Sequence, residues 1–508
     1  MTVKIEEVAQ SAAPKIHPIL KCIYYTPGVT TGVEDTFDAD GNANFERTMQ
    51  DIVSTTSKVE RWGLPYILIG QPGSAKTSSV KAASKAMGMK CFTLIASLCD
   101  PTDFRGIPTI ATIKTDDPNG KIRRYNGTET IMAIGNEPLY MKDDKGNFIT
   151  IAGEFRPADL QFTPMRGEPI HNFDGSIKRK KKEMQVSRTA IPEIFIQLAK
   201  LGDCTLFLDE FSTAQPAVQA ALLRVALDLV VGDFKLPPGI RIVAAMNSTD
   251  QAANGSDIAL PLANRFGHYK WSNPSNQAWC DWMISGSQSV VNSLDPKAEQ
   301  ARVLKRWDYE FSLAKGLVCG YISRRGDNAL SKIPNAQDEN ASAAYPTPRS
   351  WDLATRAFAG AAIHGLSDQD RNELLSSFIG IPAASEFLTF VREVDLPDPI
   401  ALLDGKETFN HKASKLDRTV AALMSMTSVI LNNASTPEAV ALKKKRVEML
   451  WKILNDIFEL KTGEDLIVPT VKLLVVNGLF ANGSKISLDL IGKLGIYLSE
   501  AEIVYKEN

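Results

Sequence analysis

The residues most able to do chemistry lie in a few short stretches. The first is IleLeuIleGlyGlnProGlySerAlaLysThr, residues 67–77. Gly70, Gly73, Lys76 and Thr77 follow the outline of a phosphate-binding loop, Gly-x-x-x-x-Gly-Lys-Ser/Thr, except that Ala75 stands where the second glycine is usual. Such a loop works because successive backbone N–H groups and a helix N-terminus point at phosphates, a lysine adds a mobile positive charge, and a hydroxyl reaches magnesium. Gly70, Pro72, Gly73, Ser74, Ala75, Lys76, Thr77 and Ser78 are therefore the candidate nucleotide-binding residues. Ala75 sits where the chain turns into the following helix. A negative φ there would accommodate its methyl group without steric penalty.

ThrLeuPheLeuAspGlu, residues 205–210, is an apolar strand ending in two carboxylates. Asp209 would hold magnesium together with Thr77, and Glu210 would orient and polarise an attacking water, since phosphoryl transfer depends on positioning and charge stabilisation. An Asp-Glu pair after a strand is commonplace alone and informative downstream of a phosphate loop. The next strand ends in ValAlaAlaMetAsn and places Asn247 beside the γ-phosphate position if that strand lies between the other two. Arg265, in ProLeuAlaAsnArgPheGly, and Arg349, in ThrProArgSerTrp, offer planar donors for charge on a transferring phosphoryl group.

These groups need a scaffold. Apolar, β-prone runs occur at 65–70, 91–96, 204–208, 240–246 and about 268–271, with helical patterns between them. Continuous apolar strands alternating with helices predict an α/β core, a parallel five-stranded sheet between helices. The helix after Glu210 has Pro216 near its start and a stripe of Ala217, Ala221, Leu222, Val225 and Leu229.

Residues 1–43 read as an N-terminal arm, 44–275 as the nucleotide-binding core, 276–345 as a helical connector, and 346–508 as a helical lid and C-terminal helical region. AsnPheGluArgThrMetGlnAspIleVal, from Asn44, has a helix-like pattern leading into the first strand. The long segment 111–189 reads as a β-rich insertion, with a hairpin signal at 141–151 and a turn at 172–176. Ser435-Thr436-Pro437-Glu438 predicts the start of a helix running to about Leu460.

At 508 residues the chain exceeds a single core. Its 44% hydrophobic and 23% charged residues, with a net charge of -2, suit a globular protein and imply neither a basic nucleic-acid binder nor an acidic disordered chain. The six cysteines form no C-x-x-C pair and read as reduced core residues, so a cytoplasmic location is expected, with no membrane association. The five histidines lack metal-ligand spacing. LysArgLysLysLys, 178–182, reads as a solvated loop, because no aromatic residues interleave it.

Taken together, GlyGlnProGlySerAlaLysThr, AspProThrAspPheArgGlyIlePro (100–108), ThrLeuPheLeuAspGluPhe, ArgIleValAlaAlaMetAsn, LeuAlaAsnArgPhe and ProThrProArgSerTrp resemble the MoxR branch of the AAA+ ATPases, in order over residues 60–360. Alanine before the loop lysine is ordinary in that branch. The resemblance implies ATP and Mg2+ as ligands, Lys76 and Thr77 as Walker A, Asp209 and Glu210 as Walker B, Asn247 as sensor 1, Arg265 as an arginine finger acting on a neighbouring subunit, and Arg349 as sensor 2. It further implies a helix-2 insert, a lid, and a pre-sensor hairpin at GlyAspPheLysLeuPro (232–237). It also implies a homo-hexameric, chaperone-like machine that remodels a protein client, often beside a von Willebrand A domain partner. The segment 111–189 is longer and more charged than a plain MoxR insert, and the tail after about 400 carries no motif of the branch. An alternative from another class is a nucleotide-dependent nucleic-acid motor or loader using the basic run. A third is a scaffold that binds ATP without turnover, which would not need Glu210.

Overall fold

Each of the five apolar runs forms a strand, and the strands align side by side with their carboxyl ends at one edge. The structure is a computed structural model describing residues 18–31, 58–105, 107–125, 128–131, 168–169, 179–232, 234–247, 263–273, 275–285, 294–334, 343–410, 415–431, 437–460, 463–479, 490 and 492. The helix pattern from Asn44 and the signals at 141–151 and 172–176 lie outside these residues.

In chain order the elements are helix α1 (Pro18–Tyr25), β1 (Pro27–Thr31), β2 (Lys58–Trp62), β3 (Tyr66–Gly70), α2 (Lys76–Ala86), β4 (Lys90–Ile95), β5 (Ile107–Tyr125), β6 (Thr128–Ile131), β7 (Glu168–Pro169) and β8 (Arg179–Ala190). They continue with α3 (Glu193–Leu201), β9 (Cys204–Asp209), α4 (Pro216–Asp228), β10 (Val230–Val231), β11 (Phe234–Lys235), β12 (Ile240–Asn247), β13 (Gly267–Lys270), α5 (Asn276–Ser285) and α6 (Pro296–Arg325). The remaining long helices are α7 (Pro348–His364), α8 (Asp368–Ile379), α9 (Ile381–Val394), α10 (Leu416–Leu431), α11 (Pro437–Phe458) and α12 (Gly463–Val476). Two compact units result, residues 1–104 with 192–508, and residues 105–191.

In the larger unit the sheet order is β13-β3-β12-β9-β4, and every neighbouring pair is parallel. β9 and β12 are buried along nearly their whole length, which is why they read as unbroken apolar runs rather than alternating ones. β4, at one edge, is only half-buried. The register pairs Gly70 with Asn247 and Ile95 with Asp209, so the last residues of four strands form one rim. In open α/β sheets ligands bind at that rim.

Three sequence expectations change here. Residues 18–31 are not a loose arm: Ile19, Cys22, Ile23, Tyr24 and Tyr25 are buried in the same core as Phe207 and Val243 of the sheet. Tyr24 Oη pairs with Ser84 Oγ (3.2 Å), Ser84 Oγ with Thr205 Oγ1 (2.9 Å), and Tyr25 Oη donates to Met87 O (2.8 Å), so α1 fastens α2 to β9. The stripe on α4 is Val218, Ala221, Leu222, Val225 and Leu229, while Ala217 is exposed. Pro216 occupies the first turn, and only there does the inward residue differ, Val218 in place of Ala217. Of the cysteines, all free, Cys22 and Cys204 are buried but Cys280 and Cys319 are exposed.

Residues read as a connector also belong to the core. Val303, Trp307, Leu317 and Tyr321 of α6 are buried in the cluster that holds the sheet, α7, α8 and α9. Tyr321, Trp351 and Phe387 meet at ring-centroid distances of 5.5–5.6 Å. α10, α11 and α12 enclose a second cluster around Met426, Trp451 and Ile467. α11 begins at Pro437 as its sequence predicts. Val230–Val231 and Phe234–Lys235 form a small antiparallel hairpin at the position expected for one.

In the smaller unit, β5 and β8 form a long antiparallel ribbon paired from Ile107↔Ala190 to Asp116↔Lys181, with an irregularity before Lys121↔Arg179. β6 and β7 pair with the far end of β5. The unit spans 105–191 rather than 111–189. Arg179–Lys182 of the basic run lie on β8 and not in a loop; Lys181 and Lys182 pair in the ladder with Asp116 and Thr115, and Arg179 with Lys121, which a composition-based reading overlooks.

Candidate functional site

The loop between β3 and α2 is held in shape by its own polar groups. Ser74 is buried and its Oγ donates to Gln71 O at 2.7 Å. Gly73 has φ 75° and Ala75, the residue before α2, has φ 63°. Ala75 therefore does not take the negative φ that its methyl group suggests. The loop's geometry requires the left-handed region at that point, which costs an alanine about 1 kcal/mol.

Lys76 is buried and its Nζ donates to Gly70 O (2.9 Å), Gln71 O (2.8 Å) and Asn247 Oδ1 (3.1 Å). Burial lowers its pKa, and the nearby Asp209 carboxylate opposes that shift. Thr77 Oγ1 donates to Asp209 Oδ2 at 2.6 Å. A hydroxyl and a carboxylate oxygen thus converge, a hard-oxygen pair of the kind that shares magnesium with phosphate oxygens. Ser78 is exposed in the first turn of α2, and Pro72 is exposed on the loop.

Glu210 follows β9 in the left-handed region at φ 53°. Its backbone N–H donates to Asp209 Oδ1 (3.0 Å), and its Oε2 accepts from Ser97 Oγ at 2.7 Å. Ser97 lies just past β4, the strand beside β9. Of the four non-glycine residues with positive φ among the described residues, two are Ala75 and Glu210, so backbone strain concentrates at this rim.

Gly70, Lys76, Thr77, Asp209, Glu210 and Asn247 are thus assembled at the ends of three adjacent strands. β12 lies between β3 and β9, the condition on which the placement of Asn247 depended. Arg265 and Arg349 form a second group. Arg265 is partly buried, and its pKa is lowered by desolvation and then by the Arg349 charge, with Asp228 opposing. Thr347 caps α7 and donates through Oγ1 to Asn264 Oδ1 at 2.8 Å, tying the start of the Arg349 helix to the Arg265 turn. Arg349 occupies the first turn of α7, the end of a helix where a cation is electrostatically disfavoured.

Sequence reasoning missed Ser97, Trp271 and Asn273. Trp271 Nε1 donates to Ser74 O (2.9 Å) and Asn273 Nδ2 to Gln71 Oε1 (2.7 Å), so the segment after β13 grips the loop. Trp271 reads only as the last residue of the final apolar run, and nothing local marks Ser97 or Asn273.

No protein-family model matches the chain, and no curated protein does. Among solved structures the chain is similar to a crystal structure described as a "putative ATPase" from Cytophaga hutchinsonii, at 14% identity over 65% of this chain and 84% of that one, with a TM-score of 0.34. A likeness of that order carries no weight for function, which rests on the geometry of the rim.

Proposed function

We propose that this chain is an ATP hydrolase of the AAA+ kind, MoxR-like in its motifs, that works as a ring to remodel a protein client. The observation that carries the reading is the convergence of Lys76, the Thr77–Asp209 pair, Glu210 and Asn247 on one rim of a parallel sheet.

Lys76 exchanges its bonds to loop carbonyls for phosphate oxygens, and the loop N–H groups support the β-phosphate. Thr77 and Asp209 would hold magnesium, which supplies charge neutralisation on the phosphates. Asn247 orients the water and the γ-phosphate. Glu210 accepts a proton as the water oxygen bonds to the γ-phosphorus and the bond to the bridging oxygen breaks, giving ADP and phosphate.

Arg265 and Arg349 lie together, so both would address one phosphate group; we assign that group to the nucleotide of a neighbouring subunit. A hexameric ring and a client presented with a von Willebrand A domain protein belong to this same reading.

ATP turnover per subunit, followed across a wide protein concentration series, tests it. Lys76→Ala and Glu210→Gln should each lower turnover by roughly 10²-fold or more. Turnover should climb with concentration, and Arg265→Ala should be rescued when mixed with inactive Glu210→Gln subunits. Activity that Lys76→Ala leaves intact would sink the proposal.

A further inference from the structure

The nucleotide reading accounts for the phosphate half of the loop and leaves its other side unexplained. A cavity of 540 Å³ opens there, lined by Pro72, Gly73, Ser74, Asn273, Asn276, Trp279 and Cys280. Trp279 on α5 keeps 50% of its surface exposed in the cavity wall it shares with the loop residues Pro72, Gly73 and Ser74. A Cβ placed on Gly73 would meet nothing within 4 Å, so this face of the loop is open.

Building on the nucleotide reading above, we infer that this cavity is the base pocket, in which Trp279 stacks on an adenine ring and Asn276 reads its edge. The sheet order sets the direction. The Thr77–Asp209 pair and Asn247 lie on the β12–β9 side of β3, whereas α5 follows β13 on the opposite side. A nucleotide with its phosphates at Lys76 and Thr77 therefore extends its nucleoside toward α5. That wall is fixed to the loop by the bonds Trp271 Nε1 to Ser74 O and Asn273 Nδ2 to Gln71 Oε1. An indole face offers stacking that any base accepts. Selection falls to the amide: Asn both donates and accepts, matching the acceptor-plus-donor edge of adenine, whereas the two acceptors of guanine suit Arg or Lys, absent from the lining.

Calorimetric titration of Mg-ADP, Mg-GDP and Mg-tripolyphosphate into the full chain tests this. Trp279→Ala should weaken ADP about tenfold while leaving tripolyphosphate unchanged, and Trp279→Phe should retain most of the affinity. Asn276→Ala should narrow the preference for ADP over GDP. In the unaltered protein, maleimide labelling of Cys280, located by peptide mass spectrometry, should be slowed by ADP and not by tripolyphosphate. Unchanged ADP affinity in Trp279→Ala, or Cys280 labelling that slows with protein concentration but not with ADP, overturns the base pocket. Failure of tripolyphosphate to bind the unaltered protein overturns the nucleotide reading itself, and the pocket with it.

Discussion

Ser97 Oγ donates a 2.7 Å hydrogen bond to Glu210 Oε2, joining the end of β4 to the carboxylate that follows β9. The bond spends an acceptor site of the group assigned to the attacking water and turns it toward β4. Removing the hydroxyl should free the carboxylate. Ser97→Ala is expected to raise basal turnover several-fold with little change in KM, within the ~1.5–3 kcal/mol range of a hydrogen bond to a charged group. Steady-state kinetics decides, and a fall in turnover would mean that Ser97 aims Glu210 instead of restraining it.

Lys76 carries its charge against a desolvation penalty, which lowers its pKa from the ordinary 10.5. A bound phosphate favours the ammonium and raises that pKa, so binding takes up a proton wherever the free lysine has lost one. Mg-ADP affinity should therefore be level below the free-state pKa. It should weaken up to tenfold per pH unit between the free and bound values. Calorimetry in buffers of different ionisation enthalpy reads the proton uptake. Lys76→Arg should abolish it, and equal uptake in that variant would assign the effect elsewhere.

Ala75 holds φ 63° without being glycine. Ala75→Gly should remove the steric cost and stabilise the fold by about 1 kcal/mol, less the greater entropy that glycine loses on folding. Urea denaturation gives the answer. Destabilisation by the variant would show that the left-handed conformation costs alanine nothing in this loop.

Such details mark the limit of the sequence. The strands and the Lys76, Asp209, Glu210 and Asn247 set were legible because unbroken apolar runs and end-of-strand polar residues are written locally. The sign of φ at Ala75 was not, because a methyl group is compatible with both regions until the loop on either side is fixed. Ser97 looked like any serine after a strand; only the adjacency of β4 and β9 gives it a partner. PILKCIYY was passed over as part of an arm because its anchors, Ser84, Thr205 and Met87, come from elsewhere in the chain. Arg265 and Arg349 were each readable, but their proximity was not, since it depends on Thr347 meeting Asn264.

α6 crosses α10 at Gly316 and Gly320, which face Ser425 and Ala421. A Cβ on Gly316 would overlap the backbone of Ser425, and one on Gly320 would lie 2.9 Å from Ala421 Cα. Helix propensity alone favours alanine over glycine by about 1 kcal/mol, yet no rotamer change relieves an overlap with backbone. Gly316→Ala should therefore destabilise by about 2 kcal/mol net, the overpacking term exceeding the propensity gain. A higher midpoint in urea for the variant would contradict this packing.

His364 is enclosed where α1, α6 and α7 meet. Its Nδ1 lies 3.0 Å from Arg302 Nη2, and Lys21 and Glu299 complete the charged surroundings. Burial, then the Arg302 charge, pushes its pKa down from 6.5 to about 4, with Glu299 opposing. The unfolded chain takes a proton on this histidine as pH falls below 6.5, while the folded chain resists until about 4. Stability is therefore full above 6.5 and falls across that window, by about 3 kcal/mol if the whole shift is expressed, and the loss levels off below it. Burial works against the Glu299 carboxylate, but Arg302 and Lys21 hold it below its ordinary 4.5, so its contribution begins to be lost only below 4.5, at the acid end of the His364 window. Urea midpoints from pH 7 to 4 should decline in the unaltered protein and stay flatter over that range in His364→Gln. Parallel declines in the two proteins would place the acid sensitivity on another group.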